Sequence, residues 1–183
     1  SARFADKTIV FPKIPEPYTY NVSTYLGMLI GRFGENPKTI RAHIETVVAP
    51  ALAKHAPPLS AYHAFFFVIP PVLTLVAPML ITKFDELFGS YVMGRAFTPE
   101  EVWHAKTIIP NERELFIHFD GTEHFGTEPN RLSIPLAKSE HFAALMMTAY
   151  FIIGTIQRSH PPYFKEHIAS YMRRASAHYG QEM

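Results

Sequence analysis

The sequence predicts a mostly α, integral membrane protein with one or two transmembrane helices, amphipathic flanking helices, an extended Pro-rich arm and little β structure. Three observations lead there. Between His55 and Thr82 there is no Asp, Glu, Lys or Arg. The core of that run, residues 59–82, is 24 residues long with one ionisable group, His63. About 20 helical residues cross a hydrocarbon layer of about 30 Å, so the run is long enough to span. A second uncharged run, residues 142–157, lies between His141 and Arg158. The third is the flanks: Lys54 and His55 precede the first run, and Lys83, Asp85 and Glu86 follow it. Composition rules out disorder over the whole length. The chain has 183 residues, 48% of them hydrophobic, and only 18% charged. That is below the roughly 25% of an average soluble domain.

Composition also excludes several classes. A net charge of +1 supplies no bulk basic field for nucleic acid. The absence of cysteine removes disulfide scaffolds, Cys–zinc sites and thiol nucleophiles. Sixteen prolines against nine glycines predict a chain cut into short pieces. The start, SARFADK, lacks the apolar region of a secretory signal and is compatible with a cleaved organelle transit peptide.

Residues 1–22 read as an extended arm, because Pro12, Pro15 and Pro17 bias their neighbours toward extended backbone. Residues 23–58 read as amphipathic helices. Ser23 is placed to cap the first, and Gly27 and Gly31 form a GxxxG pair suited to close backbone approach. Asn36-Pro37 starts the second, with a capping side chain and proline at the first helical position. Residues 59–82 form the first span, with Pro70, Pro71 and Pro78 calling for partner helices. Residues 83–140 form a polar extramembrane segment. Within it Thr98-Pro-Glu-Glu101 is a capping box, residues 114–119 form a strand, and Asp120-Gly121 turns that strand back as a hairpin. Residues 141–158 supply the second span. Residues 159–183 form an amphipathic helix with Phe164, Ile168, Tyr171 and Ala175 on one face and Lys165, Arg173 and Arg174 on the other.

Ten histidines make metal and haem worth weighing. His63, as an ionisable residue inside a span, is the candidate cofactor residue, toward haem or a quinone. The candidate metal ligands are His118, Asp120 and His124. On a strand, His118 and Asp120 share one face. His118-Phe119-Asp120 resembles the HxD half of the iron site of the 2-oxoglutarate-dependent oxygenase family. That resemblance implies a third, distant ligand, His167 or His178, and a many-stranded barrel.

The expectation that follows is a non-catalytic accessory subunit of an energy-converting complex of the mitochondrial inner membrane, with a structural and assembly role. It carries no cofactor. Its partners are other membrane subunits and phospholipid, and not nucleic acid. A soluble metal-dependent enzyme using the HxD…H iron site, and a haem- or quinone-binding membrane anchor, stay open beside it.

Overall fold

A computed structural model describes residues 17–119, 125–136 and 142–180. It is an α/β fold. Four strands, β1 (Ala64–Val68), β2 (Met93–Phe97), β3 (Glu114–His118) and β4 (Arg131–Ser133), form one sheet in the order β2-β1-β3-β4, and every pairing is parallel. Among the described residues seven α-helices accompany them: α1 (Pro17–Phe33), α2 (Pro37–His43), α3 (Ala49–Lys54), α4 (Ala77–Phe88), α5 (Pro99–Trp103), α6 (Phe142–Ser159) and α7 (Tyr163–Tyr179).

The predicted first span is therefore not a membrane helix. Its 24 residues are divided among a 3-10 turn (Leu59–Ala61), β1, a second 3-10 turn (Pro71–Val76) and the start of α4. The physical reason lies in where β1 sits. A central parallel strand is covered on both faces, so it reads as an unbroken apolar run rather than an alternation. All five β1 residues are buried. Pro70 and Pro71 then end the strand, because proline cannot donate to the ladder. No helix among the described residues is long and apolar enough to cross a membrane. The second predicted span is a helix, α6, but it is a core helix. Ala143, Leu145, Ala149, Ile152 and Ile156 are all buried in the main cluster. The predicted membrane subunit thus loses the spans on which it rested.

The two sheet faces are unequal. On one, Phe65, Phe67, Ile69, Leu115, Ile117 and Leu132 join Ile40, Val48, Leu80, Phe84 and the buried face of α6 in the main core. On the other, Phe66, Val68, Phe116, Val102 and Phe125 make a smaller cluster. That thin side is closed partly by electrostatics. Arg95 lies 4.3 Å from the Phe66 ring centre, and its Nη1 donates to Oε1 of buried Glu114 at 3.1 Å.

Several local readings hold. Asn36 accepts a hydrogen bond from the Lys38 amide at 3.0 Å, with Pro37 opening α2. The Thr98–Glu101 capping box is formed at the head of α5. The strand expected at 114–119 is β3, and a long C-terminal helix is α7. Other readings do not hold. The extended arm expected over residues 1–22 is helical from Pro17 onward, and its residues 1–16 lie outside the described residues. Ser23 lies inside α1, not at its cap, and a Cβ on Gly27 or Gly31 would meet nothing within 4 Å. The Asp120-Gly121 turn lies outside the described residues. The next strand, β4, nevertheless runs parallel to β3, so the two are not a hairpin. Between α2 and α3 the helix widens to a π-turn (Ile44–Val48), with the Ala49 amide donating to the Ile44 carbonyl. Pro50 follows, and its missing N–H takes away one donor of the regular ladder there.

Candidate functional site

In an open parallel sheet the default ligand crevice lies outside the carboxyl ends of the strands, where successive connections leave in opposite directions. In the order β2-β1-β3-β4 that point falls between β1 and β3. Its usual chemistry is anion capture by amides at a helix N-terminus. Here each helix that follows a strand has those amides removed or occupied. After β1 come Pro70 and Pro71, and Pro78 stands in the first turn of α4. Three donors are missing there, and Val72 and Leu75 stand 66% and 76% exposed in their place. After β2, Thr98 and Glu101 cap α5. At α6 the carboxylate of Glu35 accepts from the Ala143 amide at 2.9 Å and the Ala144 amide at 2.8 Å. Glu35 is only 6% exposed, and Gly34, at φ +67°, makes the turn out of α1 that precedes it.

The described histidines among those selected from the sequence lie in separate parts of the fold. His118 ends β3 on the thin face of the sheet. It is 1% exposed, stacks on Phe125 at 6.0 Å, and donates from Nε2 to the Phe125 carbonyl at 3.3 Å. Asp120 and His124 lie outside the described residues. His167 and His178 are exposed on α7. Among the described residues no group of three or more metal-ligating side chains converges. The barrel that the oxygenase resemblance implies is not this four-stranded open sheet. His63 is not within a membrane helix. It lies exposed just before β1, its ring 6.4 Å from that of His160.

The opposite end of the molecule carries a cleft. It has a volume of about 650 Å³ and opens between the end of α4 and α7. That is within the common range of about 300–1,000 Å³ for small-molecule sites. Gly89, at φ +57°, ends α4 and leads into Ser90 and Tyr91. Tyr91 and Tyr163 stack face to face, 4.1 Å between centres and 4° between planes. Phe88, Phe164 and Tyr171 extend the aromatic wall. The polar groups divide by element: Asp85 and Glu86 come from α4, His167 and Arg174 from α7. Glu86 is already engaged by Lys83.

Sequence reading identified Tyr171 and Arg174 only as parts of an amphipathic helix. It missed Asp85, Tyr91 and Tyr163, which lie on separate elements.

Beside this cleft, His160 occupies the joint between α6 and α7. Burial pushes its imidazole below the ordinary value. A hydrogen bond with the Leu59 backbone opposes that, and nearby His63 adds to the depression.

No family model matches the chain, and no curated protein matches it. Among solved structures, it is similar to a Salmonella typhimurium LT2 protein provisionally described as sugar-binding. The TM-score is 0.46 and the identity 12%, over 78% of this chain and 48% of that one. It is also similar to a Clostridium difficile 630 protein provisionally described as a phosphosugar isomerase. There the TM-score is 0.39 and the identity 15%, over 85% of this chain and 50% of that one. The chain spans about half the length of each of these two proteins.

Proposed function

We propose that the chain is a ligand-binding α/β module that holds an amphipathic zwitterion in the cleft between α4 and α7, and that it works by binding rather than by catalysis. The single observation that supports this is the lining of the cleft. An aromatic floor suits an apolar or aromatic body, while Asp85 on one wall and His167 and Arg174 on the other suit a cationic and an anionic group. The carboxyl end of the sheet supports the same reading from the other side, since its helix N-termini are filled by Glu35, Thr98 and Glu101 or emptied by proline.

Calorimetric titration tests it with three probes below their micelle concentrations: dodecylphosphocholine, dodecyltrimethylammonium and dodecyl sulfate. The zwitterion is expected to bind most tightly. Arg174→Glu is expected to weaken dodecyl sulfate by about tenfold, the equivalent of about 1.4 kcal/mol, and to strengthen dodecyltrimethylammonium. Equal affinity for all three probes, or no change of preference in Arg174→Glu, refutes the reading.

A further inference from the structure

We propose that His160 is a proton-operated latch on the joint between α6 and α7, which holds α7 against α4 when neutral and loosens it when protonated, so that the cleft opens and empties in acid. As a regulation of the cleft this rests on the ligand-binding reading above. As a property of the joint it stands alone.

The joint is short. Ser159 ends α6, Tyr163 begins α7, and only His160, Pro161 and Pro162 lie between. Neither proline can donate a backbone hydrogen bond, and among the described residues their carbonyls accept only from α7 itself, Tyr163 onto Pro161 at 2.8 Å and Glu166 onto Pro162 at 3.1 Å. The His160 ring ties the joint to the rest of the fold by packing against the main core. It meets Phe65 of β1 edge-on at 6.1 Å and Phe88 of α4 edge-on at 6.2 Å. Phe88 also lines the cleft, and Tyr163, three residues past His160, is the ring stacked on Tyr91. The ring that anchors the joint and the rings that form the cleft wall are therefore in direct succession.

Against the one hydrogen bond with the Leu59 backbone, burial and the unpartnered Nε2 favour a neutral ring. Its Nε2 is buried and meets no hydrogen-bond partner among the described residues. A neutral imidazole leaves that nitrogen as a bare lone pair, whereas an imidazolium must place an N–H there with nothing to accept it. The groups facing the ring are the Leu59 backbone from the first 3-10 turn, Phe65 from β1, Phe88 from α4 and His63 just before β1. His63 is the titratable one. Once protonated it repels a second charge, so no facing side chain rewards the imidazolium. The sign follows. His160 titrates lower in the folded joint than in a free chain. The latch therefore contributes fully above the ordinary imidazole value of about 6.5 and is lost as pH falls through the depressed folded value.

Because the chain has no cysteine, two can be introduced and spin-labelled uniquely, at Ser90 beside the cleft and at Arg173 on the exposed side of α7. Electron–electron distance measurements are then made on the full chain from about pH 7.5 to about pH 5. One narrow distribution is expected at the upper end, broadening with a midpoint below about 6.5. His160→Phe, which keeps a ring but no proton, is expected to stay narrow throughout. His160→Gln is expected to lack the pH response whatever its starting width, and serves if the Phe variant misfolds. His63→Gln, which removes the like charge, is expected to move the midpoint upward. A distribution that ignores pH, or one that broadens equally in both His160 variants, overturns the latch. Dodecylphosphocholine titrated over the same range separates the two proposals. Joint opening without probe binding at any pH removes the ligand reading and leaves the latch. Binding that is indifferent to pH while the joint opens overturns control of the cleft.

Discussion

Glu35→Ala should be among the most damaging single substitutions outside the apolar core. The Glu35 carboxylate is 6% exposed and accepts two backbone amides at the head of α6, from Ala143 and Ala144 at 2.9 and 2.8 Å. A hydrogen bond to a charged group contributes about 1.5–3 kcal/mol, and a charge near a helix N-terminus adds about 0.3–1 kcal/mol. Water can partly replace the lost acceptor, so the terms do not simply add. A loss of about 3 kcal/mol is expected, the upper end for a hydrogen bond to a charged group and above the roughly 0.5–2 kcal/mol of an ordinary cap. For a chain of this size that corresponds to a fall of about 6–12 °C in Tm. Glu35→Gln keeps one acceptor oxygen but turns an NH₂ toward an amide, and should lose about half as much. Urea unfolding followed by far-UV circular dichroism measures both variants. The alanine variant also uncovers a vacant helix N-terminus, so sulfate should stabilise it more than it stabilises wild type. If Glu35→Ala falls within about 0.5 kcal/mol of wild type, the scale of an ordinary surface change, the carboxylate is not holding α6 in place. Glu35 would then not be filling an anion site at that helix end.

Gly94→Ala should cost about 1–3 kcal/mol in urea unfolding, because the added Cβ would stand 2.3 Å from the ring of Phe84, itself 1% exposed. A neutral outcome would mean that α4 can move away from β2 freely. Glu114 predicts a pH dependence. Burial raises its carboxyl above the ordinary range, and Arg95 opposes this by charge and by hydrogen bonding. A carboxyl raised in the folded state contributes stability at low pH that is lost as pH rises through its folded value. Arg95→Gln removes the opposing partner, so the loss should grow steeper and shift to higher pH. Unfolding midpoints measured from about pH 4 to pH 8 on both proteins check the sign. A parallel pair of profiles would show that Arg95 does not support Glu114.

How far residues speak for themselves differs from element to element. Asn36-Pro37, the Thr98–Glu101 box and the C-terminal amphipathic stretch are local devices. Their hydrogen bonds or their periodicity close within one turn of chain, so the sequence alone determined that α2, α5 and α7 exist and where α2 and α5 begin. The β3 strand was legible for the same reason. The stretch around β1 was not. An uncharged run states only that water is absent, and a bilayer and a two-sided protein core exclude water equally well. The sheet that covers Phe65 on one face and Phe66 on the other decided between them, through partners at residues 93–97 and 114–118.

The same holds for function. The sequence shows His118 beside Asp120, but not that its ring is buried and stacked on Phe125, because those surroundings are supplied by another segment. Asp85, Tyr91, Tyr163 and Arg174 form one cleft although 89 positions separate the first from the last in the chain. Composition and local spacing determined the capped helices, one strand and the exclusion of cysteine chemistry. Only the tertiary structure decided what surrounds each apolar run and which distant side chains meet, since burial and proximity depend on neighbours that chain order does not record.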